Sequence, residues 1–226
     1  MNLLLLGHGK TGSLVADIAR ERKHELRVLR SADNPHGAAL TADNLRSVDV
    51  VVDFTTPAAV LENIAACAHA GKNMVVGTTG WYEEIPRVRE RIAQSATGFV
   101  YAANFSVGVN LFFEIARASA AALRSNYFGQ IFERHHVHKK DAPSGTAVMI
   151  QRILKDTAGK EVEIISFREG DVVGMHEIVL DSISDSIYLC HDAKSRRGFA
   201  EGAVRAAEWL VGKKGFFDFK DVWREL

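Results

Sequence analysis

The sequence has few of the features that mark secreted, metal-binding or nucleic-acid-binding proteins. Its two cysteines, Cys67 and Cys190, lie far apart and belong to no C-x-x-C pair, which argues against a disulfide framework or a cysteine zinc module. Both are therefore predicted to be buried thiols in a reducing compartment. The 28 basic residues (Lys and Arg) equal the 28 acidic residues (Asp and Glu) in number, so no excess charge indicates a nucleic acid or a membrane surface as partner.

Long hydrophobic runs, internal repeats and low-complexity segments are also absent. The apolar run 3–6 is too short for a membrane span or a signal segment, and it leads directly into a glycine turn. The chain is nevertheless 47% hydrophobic over 226 residues, enough for the core of one large or two modest domains. These features predict a cytoplasmic protein that binds a small molecule.

Short apolar strands alternate with helical segments through the first half of the chain. The predicted strands are 2–6, 25–29, 48–54, 73–76 and 99–102, and the predicted helices are 13–22, 58–70 and 83–94. This alternation, with short turns, predicts a Rossmann-type, doubly wound parallel sheet in an α/β fold. Ligands of such sheets bind beyond the carboxyl ends of the strands.

A glycine-rich turn follows the first strand and opens the first helix. The run from Gly7 to Gly12 reads G-x-G-x-x-G, in which Gly7 allows the tight turn, Gly9 lets the backbone approach a pyrophosphate and Gly12 lets the helix pack on the strand. The candidate cofactor-binding residues here are Gly7, His8, Gly9, Lys10, Thr11 and Gly12. A nicotinamide dinucleotide is the predicted ligand, and the alternative is an ordinary strand-to-helix turn.

The residues after the second strand bear on which nicotinamide cofactor is used. An acidic residue at this point would bind the adenosine ribose of NAD, but the sequence has Arg30 and Ser31, with Asp33 further along. Arg30, Ser31 and Lys10 suit a 2′-phosphate. NADPH is therefore the predicted preference, while NADH stays possible because Asp33 can fold back to the ribose.

The second half of the chain changes character. A long apolar helix over 109–124 precedes strand-like segments at 129–138, 162–168, 172–181 and 186–191, joined by polar turns. They predict a second, smaller α+β domain with an open, mixed and largely antiparallel sheet. Helical spacing returns at 198–211, and the tail 215–219 is too aromatic to remain in water.

A dense histidine stretch occupies residues 133–147. Strand character up to His138 would place His135 on one face and His136 and His138 on the other. Either Lys139 or a histidine could deliver a proton, because both residue types titrate near neutrality under suitable surroundings.

The end of the same stretch predicts a helix start. Pro143 disfavours helix before it and Ser144 is a good N-cap, so the helix should begin at Gly145. Free amides there, with the hydroxyls of Ser144 and Thr146, can bind a carboxylate or phosphate. The stretch thus predicts a site for a small anion that is protonated. The alternatives are a solvated strand end with an ordinary cap, or a metal site, which no Cys or Glu ligand pair at familiar spacing supports.

The stretch resembles the substrate signature E-x-H-H-x-x-K-x-D-x-P-S-G-T-A of the 4-hydroxy-tetrahydrodipicolinate reductase (dihydrodipicolinate reductase) family, with every specified position present. The resemblance implies NAD(P)H-dependent reduction of 4-hydroxy-2,3,4,5-tetrahydrodipicolinate to tetrahydrodipicolinate in lysine and diaminopimelate biosynthesis. Hydride would go to ring C4, and Lys139 or His135 would protonate the enamine, Lys139 being the first choice. Asp141 would either orient Lys139 or cap the turn. The implied substrate-binding residues are His136, Ser144, Gly145 and Thr146.

Three turns in the first half also resemble family segments, F-T-x-P, G-T-T-G and A-N-F-S-x-G. They imply further cofactor-binding residues: Phe54, Thr55, Gly77, Thr78, Thr79, Ala102, Asn104 and Phe105. The family further implies a dinucleotide-binding domain of 1–106 plus 197–226, a substrate-binding and oligomerisation domain of 107–196, and a homotetramer.

Two other functions remain as alternatives. One is another two-domain NAD(P)-dependent dehydrogenase, of the aspartate or homoserine type, against which the histidine signature speaks. The other is a non-catalytic nicotinamide-sensing protein, which would need a vacant acid position where this chain has Lys139 and His135.

Overall fold

Six parallel strands form the larger of two sheets in the computed structural model, which describes residues 1–226. The chain divides into two units: Met1–Val107 with Arg197–Leu226, and Gly108–Arg196. None of the helices combines the length and the hydropathy that crossing a bilayer requires.

The first unit has the strand order β10-β5-β4-β3-β1-β2. Its strands are β1 Asn2–Leu6, β2 Glu25–Leu29, β3 Val50–Asp53, β4 Asn73–Val76, β5 Gly98–Tyr101 and β10 Gly215–Asp218, and its helices are α1 Lys10–Glu21, α2 Pro57–His69, α3 Ile85–Ser95, α6 Arg197–Leu210 and the short α7 Phe219–Val222. Alternate residues of β1 serve different layers: Leu3 and Leu5 pack with α1 and α6, and Leu4 and Leu6 with α2 and α3. A strand covered on both faces is continuously apolar, as this one is.

The aromatic tail completes this sheet. Residues Gly215–Asp218 pair in parallel with β5, and the ring of Phe216 stacks on Phe99 at 5.1 Å while Phe217 meets Trp209 edge-on. The tail is thus shielded from water as an edge strand of the sheet. The sequence predicted that the tail would be covered, but did not predict this strand.

The second unit is a mixed sheet with helices on one face. Its strands are β6 Phe128–His135, β7 Glu163–Arg168, β8 Met175–Asp181 and β9 Ser186–Asp192, in the order β7-β6-β8-β9, with α4 Val107–Arg124 and α5 Gly145–Ala158. The β6–β7 pair is parallel and the other two pairs are antiparallel. Ile131 and Ile178 of the inner face lie in one buried cluster with Ile150 and Leu154 of α5. The predicted fold class is confirmed by the two sheets.

Two local predictions are wrong. Strand β6 ends at His135 rather than His138, because the chain turns there, with Lys139 N donating to His136 O at 3.1 Å; the face alternation predicted for His136 and His138 therefore does not apply. Cys67 is buried as predicted, but Cys190 is exposed. It lies on the face of β9 opposite to Leu189, which packs on the helix-covered core.

Candidate active site

A row of polar side chains continues the inner face of β6 where its apolar part ends. Residues two apart in a strand share a face, so Glu133 and His135 follow Ile131. Pairing places His176 of β8 opposite Glu133, and Arg168 of β7 opposite His135. Glu133, His135 and His176 are 0%, 8% and 4% exposed. The register thus gathers titratable groups in a place from which water is largely removed.

Glu133 joins these groups. Its Oε1 accepts from Arg168 Nη1 at 2.9 Å, and its Oε2 is in ion-pair contact with His135 Nδ1. Burial raises the pKa of Glu133, but hydrogen bonds from Ser166 and Arg168 and the charge of His135 outweigh this and leave the pKa below its usual value. Glu133 is therefore an anion that holds one nitrogen of the His135 ring.

His135 is placed between opposing influences. Burial lowers its pKa, Glu133 raises it, and the charges of Lys139 and Arg168 lower it again, so the net direction is downward. The imidazole is consequently poised to give up a proton readily once it holds one.

Lys139 is held by Asp141. Its Nζ donates to both carboxylate oxygens of Asp141 at 2.8 Å, and this contact is the first cause of the lowered pKa of Asp141. Arg168 Nη2 donates to the backbone oxygen of Asp141 at 2.5 Å. Of the two roles left open for Asp141, these contacts favour orienting Lys139.

Helix α5 begins beside this cluster, as predicted. Ser144 is its N-cap: Ser144 Oγ accepts from Ala147 N at 3.2 Å and lies 3.0 Å from His176 Nε2. The amides of Gly145 and Thr146 have no acceptor inside the helix. A Cβ built on Gly145 meets nothing within 4 Å, so the first residue of the helix borders open space.

The other histidines of the stretch are separated by the turn. His136 Nε2 lies 3.0 Å from Arg196 Nη2. Because a guanidinium can only donate, this nitrogen of His136 is the acceptor. His138 is exposed, which agrees with the absence of any role assigned to it.

Three donor side chains could in principle hold a metal ion. Ligand atoms of Glu133, His135 and His176 lie within 4.8 Å of one another. Arg168 neutralises Glu133 at 2.9 Å, and Lys139 adds positive charge near His135, so the surroundings oppose a divalent cation. The prediction that the protein has no metal site stays a prediction.

In the first unit, the glycine turn has the geometry that its pattern predicts. Gly7 has φ +87°, and a Cβ on it would lie 2.3 Å from Phe54 O; a Cβ on Gly12 would lie 2.5 Å from Gly7 O. Gly9 is the N-cap of α1, makes no side-chain cap and faces nothing within 4 Å. Lys10 and Thr11 stand in the first helical turn. Free amides and an open approach fit a pyrophosphate.

A cavity of about 480 Å³ lies beside this turn, lined by His8, Gly9, Arg30 and Ser31. Asp33, the residue that could have served an NAD ribose, accepts a hydrogen bond from Arg30 N at 3.0 Å. The cavity therefore presents a guanidinium and a hydroxyl, while the nearby carboxylate is engaged with the backbone.

The turns after β3 and β4 are tied together by a buried carboxylate. Asp53 is 0% exposed, and its Oδ1 accepts from Thr78 Oγ1 at 2.6 Å and from Thr55 N at 2.9 Å. The ring of Phe54 fills the space where a side chain on Gly77 would be, with a built Cβ only 2.2 Å from the ring. Thr55 Oγ1 also donates to Asp53 Oδ1 at 2.7 Å, so Thr55 and Thr78 build the turns through their side chains.

The remaining predicted cofactor residues differ in how far they reach the surface. Thr79 is exposed and Asn104 is half-buried, whereas Ala102 and Phe105 are buried at 5% and 2% exposure. Phe105 packs against Phe219 at 4.8 Å. Ala102 and Phe105 thus shape the third turn, and of its predicted residues Asn104 is the one whose side chain reaches the surface.

Sequence reasoning missed four side chains that complete these sites: Asp53, Arg168, His176 and Arg196. It also left Glu133 without a role although the signature contains it. The spacing of two between Glu133 and His135 in a predicted strand signals a shared face, but no pattern within the sequence reveals which residues of other strands lie opposite.

The family models and the curated relatives of similar sequence agree with each other. Family models described as dihydrodipicolinate reductase, N-terminus and C-terminus, match residues 1–105 and 108–223. The 4-hydroxy-tetrahydrodipicolinate reductase of Christiangramia forsetii is 39% identical, covering 100% of this chain and 99% of the relative. That of Chromobacterium violaceum is 40% identical over 79% of this chain and 74% of its own.

The fold agrees with these relatives. A solved structure described as dipicolinate-bound dihydrodipicolinate reductase from Paenisporosarcina sp. TG-14 superposes with a TM-score of 0.81, at 23% identity, over 98% of this chain and 99% of the other. Neither alternative function finds support in the matches to whole-chain relatives. The resemblance inferred from the histidine stretch is confirmed, and the chain belongs to the dihydrodipicolinate reductase family.

Proposed function

We propose that this protein reduces 4-hydroxy-2,3,4,5-tetrahydrodipicolinate with NADPH as preferred cofactor, and that Lys139 and His135 supply the proton that completes the reaction. Membership of the family makes the protein a nicotinamide-dependent oxidoreductase of lysine and diaminopimelate biosynthesis. The observation that carries the assignment of roles is the carboxylate-held His135 at the end of β6, which lies with the ion-paired Lys139 beside a free helix start.

The substrate is a dicarboxylate, and the second unit offers it donors. The amides of Gly145 and Thr146, the hydroxyls of Ser144 and Thr146, and the positive end of α5 would bind one carboxylate. His136, held by Arg196 at 3.0 Å, would stand by the other. The dipicolinate in the Paenisporosarcina structure is a ring with the same two carboxylates.

The proton is supplied by side chains of this chain. A bound nicotinamide would supply a hydride to ring C4 of the dehydrated substrate, and the enamine that results would need one proton. Lys139 is the first choice, because Asp141 holds its Nζ at 2.8 Å. His135 is the second, with its ring fixed through Glu133. Either would be recharged from water.

The cofactor is bound by the first unit, which we assign as residues 1–106 with 197–226. The amides at the start of α1 would receive the pyrophosphate, and Arg30 and Ser31 would receive a 2′-phosphate in the cavity that they line. The turns that carry the other predicted residues would lie around the nicotinamide and its ribose, with Thr79 and Asn104 as the side chains that reach the surface.

Residues 107–196 form the substrate-binding domain and, we infer, build a homotetramer in the cytoplasm. The sheet face that the helices leave open carries large apolar side chains, among them Phe128 and Tyr188, which are 81% and 66% exposed. Apolar surface of this kind marks a protein interface. Light scattering of the purified protein would measure the assembly, with a monomer as the contrary result.

The decisive assay is oxidation of NADPH, followed by its absorbance, with the condensation product of pyruvate and aspartate semialdehyde. We expect turnover that requires both precursors and is inhibited by dipicolinate. Aspartate and homoserine serve as control substrates and should give none. Binding of NADPH without any turnover would instead favour a nicotinamide sensor.

A further inference from the structure

His176 stands outside every motif of the sequence, yet it reaches the centre of the substrate site. It is 4% exposed, its Nε2 lies 3.0 Å from Ser144 Oγ, and its ring meets that of His135 edge-on with centroids 5.2 Å apart. Its other nitrogen, Nδ1, is buried without a hydrogen-bond partner. One polar contact therefore defines what this histidine does.

The hydrogen bonds of Ser144 Oγ can be counted completely. A hydroxyl has one proton to donate and two lone pairs to accept with, and Ala147 N already uses one lone pair at 3.2 Å. If His176 Nε2 donates, both lone pairs are used and the hydroxyl proton is free for a substrate carboxylate. If Nε2 accepts, the proton is spent on His176 and the remaining lone pair repels a carboxylate.

Only one of these two hydrogen-bonding states is possible at a time, because the His176 ring is uncharged near neutral pH. Burial lowers its pKa to about 4, the charges of His135, His191 and Lys139 act in the same direction, and only Glu133 opposes them. Near neutral pH the ring is therefore uncharged and carries a single N–H. The direction of the bond to Ser144 is then a matter of tautomer.

We propose that His176 is a positioning residue whose Nε2–H tautomer makes Ser144 a donor to the substrate carboxylate. This inference rests on the proposed function, since it assumes that Ser144 binds the dicarboxylate. It predicts that the bare nitrogen is Nδ1, which is the one that the structure leaves without a partner. His176 would act on substrate affinity and leave proton delivery to Lys139 and His135.

A double-mutant cycle tests the coupling, with KM for the condensation product and the dissociation constant of dipicolinate in the presence of NADPH as readouts. His176→Leu and Ser144→Ala should each weaken dipicolinate by about ten- to a hundredfold, the loss of one hydrogen bond to a charged group. The double variant should be no weaker than Ser144→Ala alone. The same variants should change kcat much less than they change these two constants.

Two further variants separate positioning from bulk structure. His176→Gln keeps an N–H donor at a similar reach and should recover most of the affinity. His191→Leu removes the histidine paired with His176 on β9, which contacts the ring of Phe112 rather than Ser144, and should leave dipicolinate binding unchanged. Equal losses in the two leucine variants, or full additivity in the cycle, would overturn the inference.

The tautomer can be read in the unaltered protein, which removes any dependence on variants that fold poorly. Nitrogen-15 NMR of the histidine rings, assigned with His176→Gln, should show a protonated Nε2 and a bare Nδ1 near neutral pH. The reverse pattern would overturn the role of His176 even if the enzyme is active. Absence of both turnover and dipicolinate binding in the wild type would instead overturn the proposed function, and the inference with it.

Discussion

The two candidate ligand sites of this protein are both built on a helix start, and they differ in the side chains that surround them. Gly9 before α1 and Gly145 at the head of α5 face open space, and neither helix has an acidic residue in its first turn. Around Gly9 the neighbouring side chains, such as Arg30, are exposed. Around Gly145 they are buried and titratable, as Glu133 and His176 are.

This contrast separates binding from proton transfer. Free amides and an exposed guanidinium hold a phosphate-bearing ligand without changing it. Around Gly145, burial and the charge of Lys139 lower the pKa of the two imidazoles of His135 and His176 while Glu133 opposes them, and general acid catalysis needs shifts of this kind. Under the proposed function, a helix start would therefore bind the cofactor in the first unit and form part of the reaction site in the second.

The largest expected effect follows from placing all proton delivery at the second helix start. Lys139→Ala and His135→Ala should each lower kcat by about 10²–10⁴-fold, the usual contribution of a positioned acid. Affinity for NADPH, measured by fluorescence titration, should stay within about twofold because the glycine turn is untouched. Turnover would be followed with the condensation product.

Adjacent residues of the same type give the matched controls. Lys140→Ala and His138→Ala remove exposed side chains of the same turn and should leave kcat unchanged. Near-normal activity in Lys139→Ala would show that Lys139 is not the acid. A parallel loss of NADPH affinity would break the contrast between the two sites.

The contrast also explains how much the sequence could predict. The inner strands of the first unit, such as β1 and β3, are almost entirely apolar and buried, and most of its turns are short, so the sheet follows from local pattern. The N-cap at Ser144 is equally local, because proline precedes it and its own side chain accepts the bond. The start of α5 was predictable for that reason, whereas α1 begins at Lys10, three residues before the predicted helix 13–22.

What surrounds the second helix start depends on strand pairing. Glu133 faces His176, and His135 faces Arg168, only because β6 pairs with β8 and β7 in one register. A shift of one residue would send these side chains to the other face, and the alternation in the sequence is too loose to exclude it. The end of β6 was missed likewise, since the turn after His135 depends on contacts with Glu169 and Gly170.

A stability measurement at acid pH tests the burial of His176. Its pKa is about 4 in the folded protein, below the ordinary 6.5, so between these values the unfolded chain binds more protons and stability falls as the pH falls. The contribution is complete above about pH 6.5, and about 2 kcal/mol of it is lost by about pH 5. His176→Gln should lose correspondingly less over this range.

Urea unfolding at about pH 7.5 and about pH 5 would measure the difference. His138→Gln, which replaces an exposed histidine of the same unit, should retain the wild-type dependence on pH. If His176→Gln lost as much stability between these pH values as the wild type does, the acid sensitivity would not come from the buried imidazole of His176.

Reciprocal glycine variants test the two helix starts directly. Gly9→Val and Gly145→Val place a side chain in open space, so the fold should survive and each Tm should stay close to that of the wild type. Gly9→Val should weaken NADPH, and Gly145→Val should weaken dipicolinate, each by about tenfold or more because polar groups lose their partner. Each variant is the control for the other.

A third glycine shows what a structural requirement looks like. In Gly12→Ala the new Cβ would lie 2.5 Å from Gly7 O, so α1 must move and the Tm should fall. If Gly9→Val or Gly145→Val lowered the Tm as much as Gly12→Ala, the glycine at that position would be needed for the fold and not for binding a ligand.

The smallest expected effect concerns cofactor choice at the first helix start. Arg30→Ala should raise KM for NADPH by about tenfold, roughly one charge-assisted hydrogen bond at an exposed site, and should leave KM for NADH unchanged. Arg46→Ala is the matched control, since its guanidinium is exposed and pairs only with Asp43 at 2.8 Å. Equal losses with both cofactors would mean that Arg30 supports the turn rather than reads the 2′-phosphate. If the KM for NADPH were unchanged, the amides of α1 alone would bind the phosphates of the cofactor. The two helix starts would then differ less than their surrounding side chains indicate.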